Sequence, residues 1–345
     1  MSEAVIHIGI VGAGENTIKK HIPGFQAIDR VRLSGVCNRT RASSARVAGQ
    51  FGIEKTYDNW LELVADPAID AVLIGTWPYL HCPVSLEAIA RDKHVLCEAR
   101  MAMNVTEARQ MFEASRLKPQ LVCQIVPSPL TLSVDKTICK LIASGYLGDL
   151  LAIEIEDGNA FIDPDAPVHW RQDRSLSGHN IMTLGIWYEA IMRWVGEAEQ
   201  VMAMGQTYVK MRQDKSSGLC RSIQIPDHLD VLARMACGAQ AHIRISQVTG
   251  LAGSARAVLY GSEGTICFRD NRLFGARKGD AELQQLNIAA EDLAKWRVEE
   301  SFINAIRGLE AVTLTTLADG VRYMRFTDAV IQSLARGRTV ALDEI

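Results

Sequence analysis

The chain has 345 residues, 48% hydrophobic and 22% charged, with a formal net charge of −3. That length exceeds one ordinary core and suits two domains, and the composition excludes a disordered or fibrous chain. The near-neutral balance, with no clustered Lys/Arg stripe, offers no field for nucleic acid.

Eight cysteines are scattered without a CxxC pair, most of them inside apolar stretches. This usage predicts buried free thiols in a reducing compartment. The opening MSEAVIHIGIVG lacks a basic leader followed by a long apolar run, and no apolar stretch reaches membrane-spanning length. The expectation is a cytoplasmic protein without a membrane partner.

In chain order, Val5–Val11, Val31–Cys37, Asp70–Thr76, His94–Cys97 and Leu121–Ile125 are nearly continuous apolar runs. Such runs predict strands buried on both faces. Between them Thr17–Ile28, Arg41–Phe51, Leu80–Arg91 and Asn104–Leu117 predict helices, with Asn104 and Glu107 as a start signal. The alternation predicts a doubly wound parallel sheet of the Rossmann type over residues 1–126.

At Pro127-Ser128-Pro129 the pattern changes. A helix around Leu132–Ser144 precedes strands of alternating character, at Ala152–Glu156, His242–Val248, Ala257–Gly261 and Thr265–Arg269. Two helices close the chain, the last with Val321, Met324, Ile331 and Leu334 on one stripe and Gly337 as its stop. Residues 127–345 therefore read as an α+β domain with a large open, mostly antiparallel sheet, suited to substrate binding and oligomerisation.

Strand one runs into Gly12-Ala13-Gly14-Glu15-Asn16-Thr17 and then a helix. Gly12 permits a tight turn and Gly14 a close approach to a pyrophosphate on the helix N-terminus. Thr17 stands at the third glycine of the usual fingerprint. The end of strand two, Cys37-Asn38-Arg39-Thr40-Arg41, carries no acid for a ribose 2′-hydroxyl but two arginines. A guanidinium pairs with a 2′-phosphate, which favours NADP(H) over NAD(H). The alternative is that Arg39 and Arg41 are solvated residues at a helix start.

The chain resembles the glucose–fructose oxidoreductase, inositol dehydrogenase and MocA (Gfo/Idh/MocA) family. The resemblance rests on Gly12-Ala13-Gly14, Asn38-Arg39-Thr40, Ile69-Asp70-Ala71-Val72, Thr76-Trp77-Pro78-Tyr79-Leu80-His81 and Lys93-His94-Val95-Leu96-Cys97-Glu98. It continues through Gly145-Tyr146-Leu147-Gly148, Trp170-Arg171 and Ala305-Ile306-Arg307-Gly308. It implies hydride transfer between NAD(P) and a sugar, polyol or related hydroxy compound, in a homodimer or homotetramer. It also implies a nicotinamide site at Glu98, a positional His81 beside it, and Trp170 near cofactor and substrate.

The family's Glu-Lys-Pro triplet appears here as Glu98-Ala99-Arg100, and its helical Asp and His as Thr183 and Trp187. The usual acid/base set is therefore absent. His179 and Asn180, placed in the first turn of that helix, are the replacement candidates, His179 either as acid/base or as a residue lining a helix end. Arg100 supplies the lost positive charge, and Tyr188 and Glu189 reach the pocket only if the helix register shifts. No Cys/His cluster has metal-ligand spacing, so no metal is expected. The cofactor set is Gly12, Gly14, Glu15, Asn16, Asn38, Arg39, Thr40, Thr76, Trp77, His81, Glu98 and Trp170. The expected activity is an NAD(P)-dependent oxidoreductase with a non-standard acid/base set. The alternatives are a silent cofactor- or sugar-sensing protein and a redox-assisted lyase or glycosidase.

Overall fold

A computed structural model describes residues 4–215 and 217–345 of the protein. Of the N-terminal segment read for a leader, Met1–Glu3 lie outside the described residues. The chain folds as two compact units, Met1–Pro127 with Arg297–Val321, and Ser128–Trp296 with Arg322–Ile345. The sequence division left residues 297–321 in the second domain; the structure gathers them into the first unit. The reason is visible in the packing. Phe302 meets the edge of Phe25 at 6.4 Å between ring centroids, and Glu299 hydrogen-bonds buried His21.

In the first unit Ile8, Ile10 and Val11 are all buried, because β1 (Ile6–Val11) has strands on both sides and cover on both faces. A π-helical turn at Thr17–His21 passes into α1 (Ile22–Gln26). The sequence predicted one helix here. Pro23 has no N–H to offer the carbonyl four residues back, which accounts for the change of winding.

Then come β2 (Val31–Cys37), α2 (Arg41–Phe51), β3 (Lys55–Thr56), α3 (Trp60–Ala65), β4 (Ala71–Ile74), α4 (His81–Ala90), β5 (His94–Cys97), α5 (Val105–Arg116) and β6 (Cys123–Ile125). Asn104 caps α5 by accepting from the Glu107 N–H at 3.0 Å, as its spacing predicts. All pairings are parallel, in the order β3-β2-β1-β4-β5-β6. The order reverses between β1 and β4, and ligands of such sheets bind at the carboxyl ends beside that reversal.

The second unit begins with α6 (Leu132–Ala143), β7 (Leu150–Asp157), α7 (Arg174–Ser177) and α8 (Leu184–Val195). It continues through β8 (Ala198–Gln206), β9 (Met211–Gln213), β10 (Cys220–Ser222), β11 (His228–Met235), β12 (Gln240–Ser246), β13 (Arg256–Gly261), β14 (Gly264–Arg269), β15 (Arg272–Arg277) and β16 (Gln284–Gln285). After α9 (Val298–Ile306), which belongs to the first unit, α10 (Leu317–Arg336) and β17 (Val340–Ala341) end the chain.

Nine strands form the sheet β16-β15-β14-β13-β7-β12-β11-β8-β17, antiparallel except for β12 beside β7. One face is covered: Trp187 of α8 meets Phe268, and Ser333 of α10 accepts from the Ala203 N–H. On the other face the pleat of β8 leaves Met202 and Met204 exposed, with Leu232 paired beside Met202. Tyr323, Met324, Phe326, Ala329, Val330 and Ser333 of α10 are fully buried, whereas Val321, Ile331 and Leu334 are only half-buried. The buried stripe is thus wider than the one predicted.

Candidate functional site

In the first unit a cavity of about 520 Å³ opens at the carboxyl ends of β1, β2 and β4. Gly12–Gly14, Asn38–Thr40, Thr76 and Trp77 all line it. Gly12 has φ +86°, and a Cβ there would lie 2.6 Å from Thr76 Cγ2 and 2.8 Å from its backbone nitrogen. Only glycine fits that turn. Asn38 secures it, accepting from the Ala13 N–H at 2.6 Å while its amide donates to Ser43. Thr40 caps α2 through the Ser43 N–H. The guanidinium of Arg39 lies 5.8 Å from the Trp77 ring centroid, whereas Arg41 turns to Asp58 at 3.5 Å. Of the two arginines only Arg39 lines the cavity.

The same unit holds the predicted residues at the end of β5. Glu98 accepts from the Asn16 side-chain amide and from His21 Nε2 at 3.0 Å. Asn16 is thereby tied to Glu98 and is not part of the cavity wall. Glu15 is exposed and pairs with Lys19, which lowers its pKa. Both ring nitrogens of buried His81 meet backbone carbonyls, of Arg100 and Thr76, each at 2.9 Å. Burial pushes the His81 pKa down against those carbonyls, which act to raise it, and the ring knits the loop after β4 to the end of β5. Arg100 is buried after a cis Ala99–Arg100 bond.

Sequence reasoning missed His21. It is fully buried, with Nδ1 on Glu299 at 2.5 Å and Nε2 on Glu98. Burial opposes its charge, but the bonds to Glu299 and Glu98 outweigh burial and raise its pKa to about 9. Burial likewise works against ionised Glu98, whose pKa is nevertheless lowered by His21 and Asn16. The available signal was position. Thr17, His21 and Phe25 recur every four residues and are all buried, so a histidine occupies an apolar stripe.

In the second unit His179 and Asn180 do not lie on a helix. Gly178, at φ +68°, ends α7, and α8 begins only at Leu184, so the pair occupies the connecting turn. His179 Nδ1 is 2.7 Å from Asp328 Oδ1, with side chains 30% and 10% exposed. Asn180 donates to the Ser177 carbonyl at 2.7 Å.

Asp328 was also missed, although an acid falling between Met324 and Ile331 on the apolar face of the last helix was the visible sign. Thr183 and Trp187 both donate to Asp157 Oδ2, at 2.7 and 2.8 Å. They anchor α8 to the end of β7. Tyr188 stacks on Phe326 and accepts from the Ala198 N–H, and buried Glu189 accepts from Ser128 and Arg193. Both are packing residues. Trp170 sits in a short turn with the Arg171 guanidinium 4.2 Å from its ring centroid.

Two family models match the chain in succession. The one described as "Oxidoreductase family, NAD-binding Rossmann fold" covers residues 6–124, and the one described as "GFO/IDH/MocA C-terminal domain" covers residues 136–267. An uncharacterized oxidoreductase of Rhizobium meliloti is 28% identical over 202 residues, 58% of this chain and 59% of the relative. Levoglucosan dehydrogenase of Pseudarthrobacter phenanthrenivorans is 25% identical over 247 residues, 66% of this chain and 63% of that protein. The matches thus span under two thirds of these relatives' own length. A solved levoglucosan dehydrogenase, in complex with NADH and L-sorbose, superposes with a TM-score of 0.85 at 21% identity, covering 98% of both chains. At that identity the likeness is one of fold.

Proposed function

We propose that this chain, which belongs to the Gfo/Idh/MocA oxidoreductase family, is an NAD(P)-dependent oxidoreductase of a sugar, polyol or related small hydroxy or carbonyl compound. The observation that carries the reading is the Gly12 turn, a cradle any side chain would fill, opening on a cavity of about 520 Å³. Gly12, Gly14, Asn38 and Thr40 would hold the pyrophosphate and adenosine portions there. When bound, the nicotinamide supplies the acceptor or donor of the hydride. Exposed Arg39 beside Trp77, with no acid at the end of β2, favours a 2′-phosphate and hence NADP(H).

His179 is the acid/base of the second unit. Asp328 accepts from Nδ1–H, which fixes the tautomer and leaves the Nε2 lone pair to take a hydroxyl proton. Asn180 holds the turn that carries it. Arg100 is the cation assigned to the end of β5. A second copy of the chain is assigned to the exposed sheet face of Met202, Met204 and Leu232.

The test is a panel of sugars, polyols and cyclic derivatives, assayed in both directions with NAD(H) and NADP(H). The reading predicts a change in nicotinamide absorbance with at least one compound; tight cofactor binding without turnover on any compound would contradict it. That second outcome is the one a cofactor-sensing protein would give. It is favoured by the structural use of Thr183 and Trp187, both committed to Asp157.

A further inference from the structure

The ring of His21 lies between two carboxylates within the first unit, and the family resemblance assigns it nothing. Its Nε2 faces Glu98 Oε1 at 3.0 Å and its Nδ1 faces Glu299 Oε1 at 2.5 Å. A neutral imidazole has one N–H, so one ring lone pair would confront a carboxylate lone pair. Only the doubly protonated ring donates to both. The arrangement is then two carboxylates about one imidazolium, with a net charge of −1.

The three groups differ in access. The His21 side chain is fully enclosed, that of Glu299 is 4% exposed and that of Glu98 15%. The accessible end of the cluster is therefore Glu98. It is positioned on three sides, by His21, by the Asn16 amide and by the Ala99 N–H at 3.3 Å. Asn16 belongs to the segment that follows the Gly12 turn. In a sheet whose order reverses between β1 and β4, a dinucleotide lies across the carboxyl ends of the strands. With its adenosine on the β2 side, its nicotinamide falls toward β4 and β5, and Glu98 is the first residue after β5.

We propose that Glu98, fixed against His21, biases the first unit toward the oxidised, cationic form of a nicotinamide dinucleotide, with His21 as the positioning residue. The inference rests on the reading of that unit as a dinucleotide site. An oxidised nicotinamide ring carries one positive charge and a reduced ring none, so a fixed carboxylate distinguishes them where shape does not. A unit charge acting across a partly solvated site changes affinity by on the order of tenfold. His21 is required because Glu98 is nearly buried, and burial alone favours the neutral carboxyl, which cannot discriminate by charge.

The test is calorimetric or fluorescence titration of wild type, Glu98→Gln and His21→Gln with the oxidised and reduced forms of one dinucleotide at pH 7, together with nitrogen-15 NMR of His21 in the unliganded wild-type chain. Glu98→Gln is expected to weaken the oxidised form about tenfold and to change the reduced form less than twofold. His21→Gln should shift the ratio the same way as Glu98→Gln. The NMR spectrum should show both ring nitrogens protonated at pH 7.5. Equal effects on both cofactor forms, no effect on either, or a neutral ring at pH 7.5 would overturn the proposal. The spectrum decides this even where a variant fails to fold. Wild-type protein that binds neither form would remove the dinucleotide reading itself, an outcome distinct from binding with an unaltered ratio.

Discussion

His179 presents Nδ1 to the Asp328 carboxylate at 2.7 Å, joining a turn between two helices to the middle of the last helix. A carboxylate on one ring nitrogen leaves the other with its lone pair outward, the form in which imidazole accepts a proton. Asp328→Asn keeps the shape but lets the ring turn or change tautomer. Positioned acid/base groups contribute about 10²–10⁴-fold to rate. Asp328→Asn should therefore lower kcat at least about a hundredfold with little change in KM. Steady-state kinetics on a responding substrate checks this; an unchanged kcat would make the pair a packing contact.

Gly12→Ala tests the cofactor cradle. A Cβ at φ +86° would press on Thr76, so the turn must open or strain by about 1–3 kcal/mol. Cofactor affinity should fall at least about tenfold, with a lower urea midpoint. Fluorescence titration that showed undiminished binding would place the pyrophosphate elsewhere.

Arg39→Ser separates the two nicotinamide dinucleotides. Arg39 lies over Trp77 at the cavity wall, while Arg41 is drawn off to Asp58. The substitution should weaken NADPH about tenfold and leave NADH within about a factor of two. Parallel losses for both would mean that Arg39 stacks on adenine and reads no phosphate.

His21 also makes stability depend on pH. Its folded-state pKa of about 9 lies above the ordinary 6.5. Its contribution is fully present below pH 6.5 and is lost as pH rises through 9. On the order of 3 kcal/mol is at stake over that window. The urea midpoint of the wild type should fall between pH 6.5 and 9.5. That of His21→Gln should start lower and lack this slope; parallel profiles for the two proteins would count against a charged ring.

The sequence made the repeating parts legible. Continuous apolar runs gave the inner strands of the first sheet almost to the residue, and Asn104 with Glu107 marked the start of α5. Two-residue β3 and six-residue α3 are too short to carry a period. Several strands of the second unit passed unnoticed. In β8 and β11 some outward positions are apolar as well, Met202, Met204 and Leu232, so alternation is blurred. The glycines of the turn after β1 were readable because their chemistry is local. The charged clusters were not. His21 and Glu299 are 278 positions apart, and His179 and Asp328 are 149 apart. Nothing in a single sequence links such residues except the oddity of a polar group on an apolar stripe. The turn that carries His179 was read as helix because Gly178 was taken as part of the helical motif.

The most direct measurement is the initial rate with a responding sugar or polyol for wild type and His179→Gln, both shown by titration to bind the dinucleotide equally. The account predicts turnover by the wild type and a kcat at least about a hundredfold lower in the variant. Equal rates in the two proteins would contradict it.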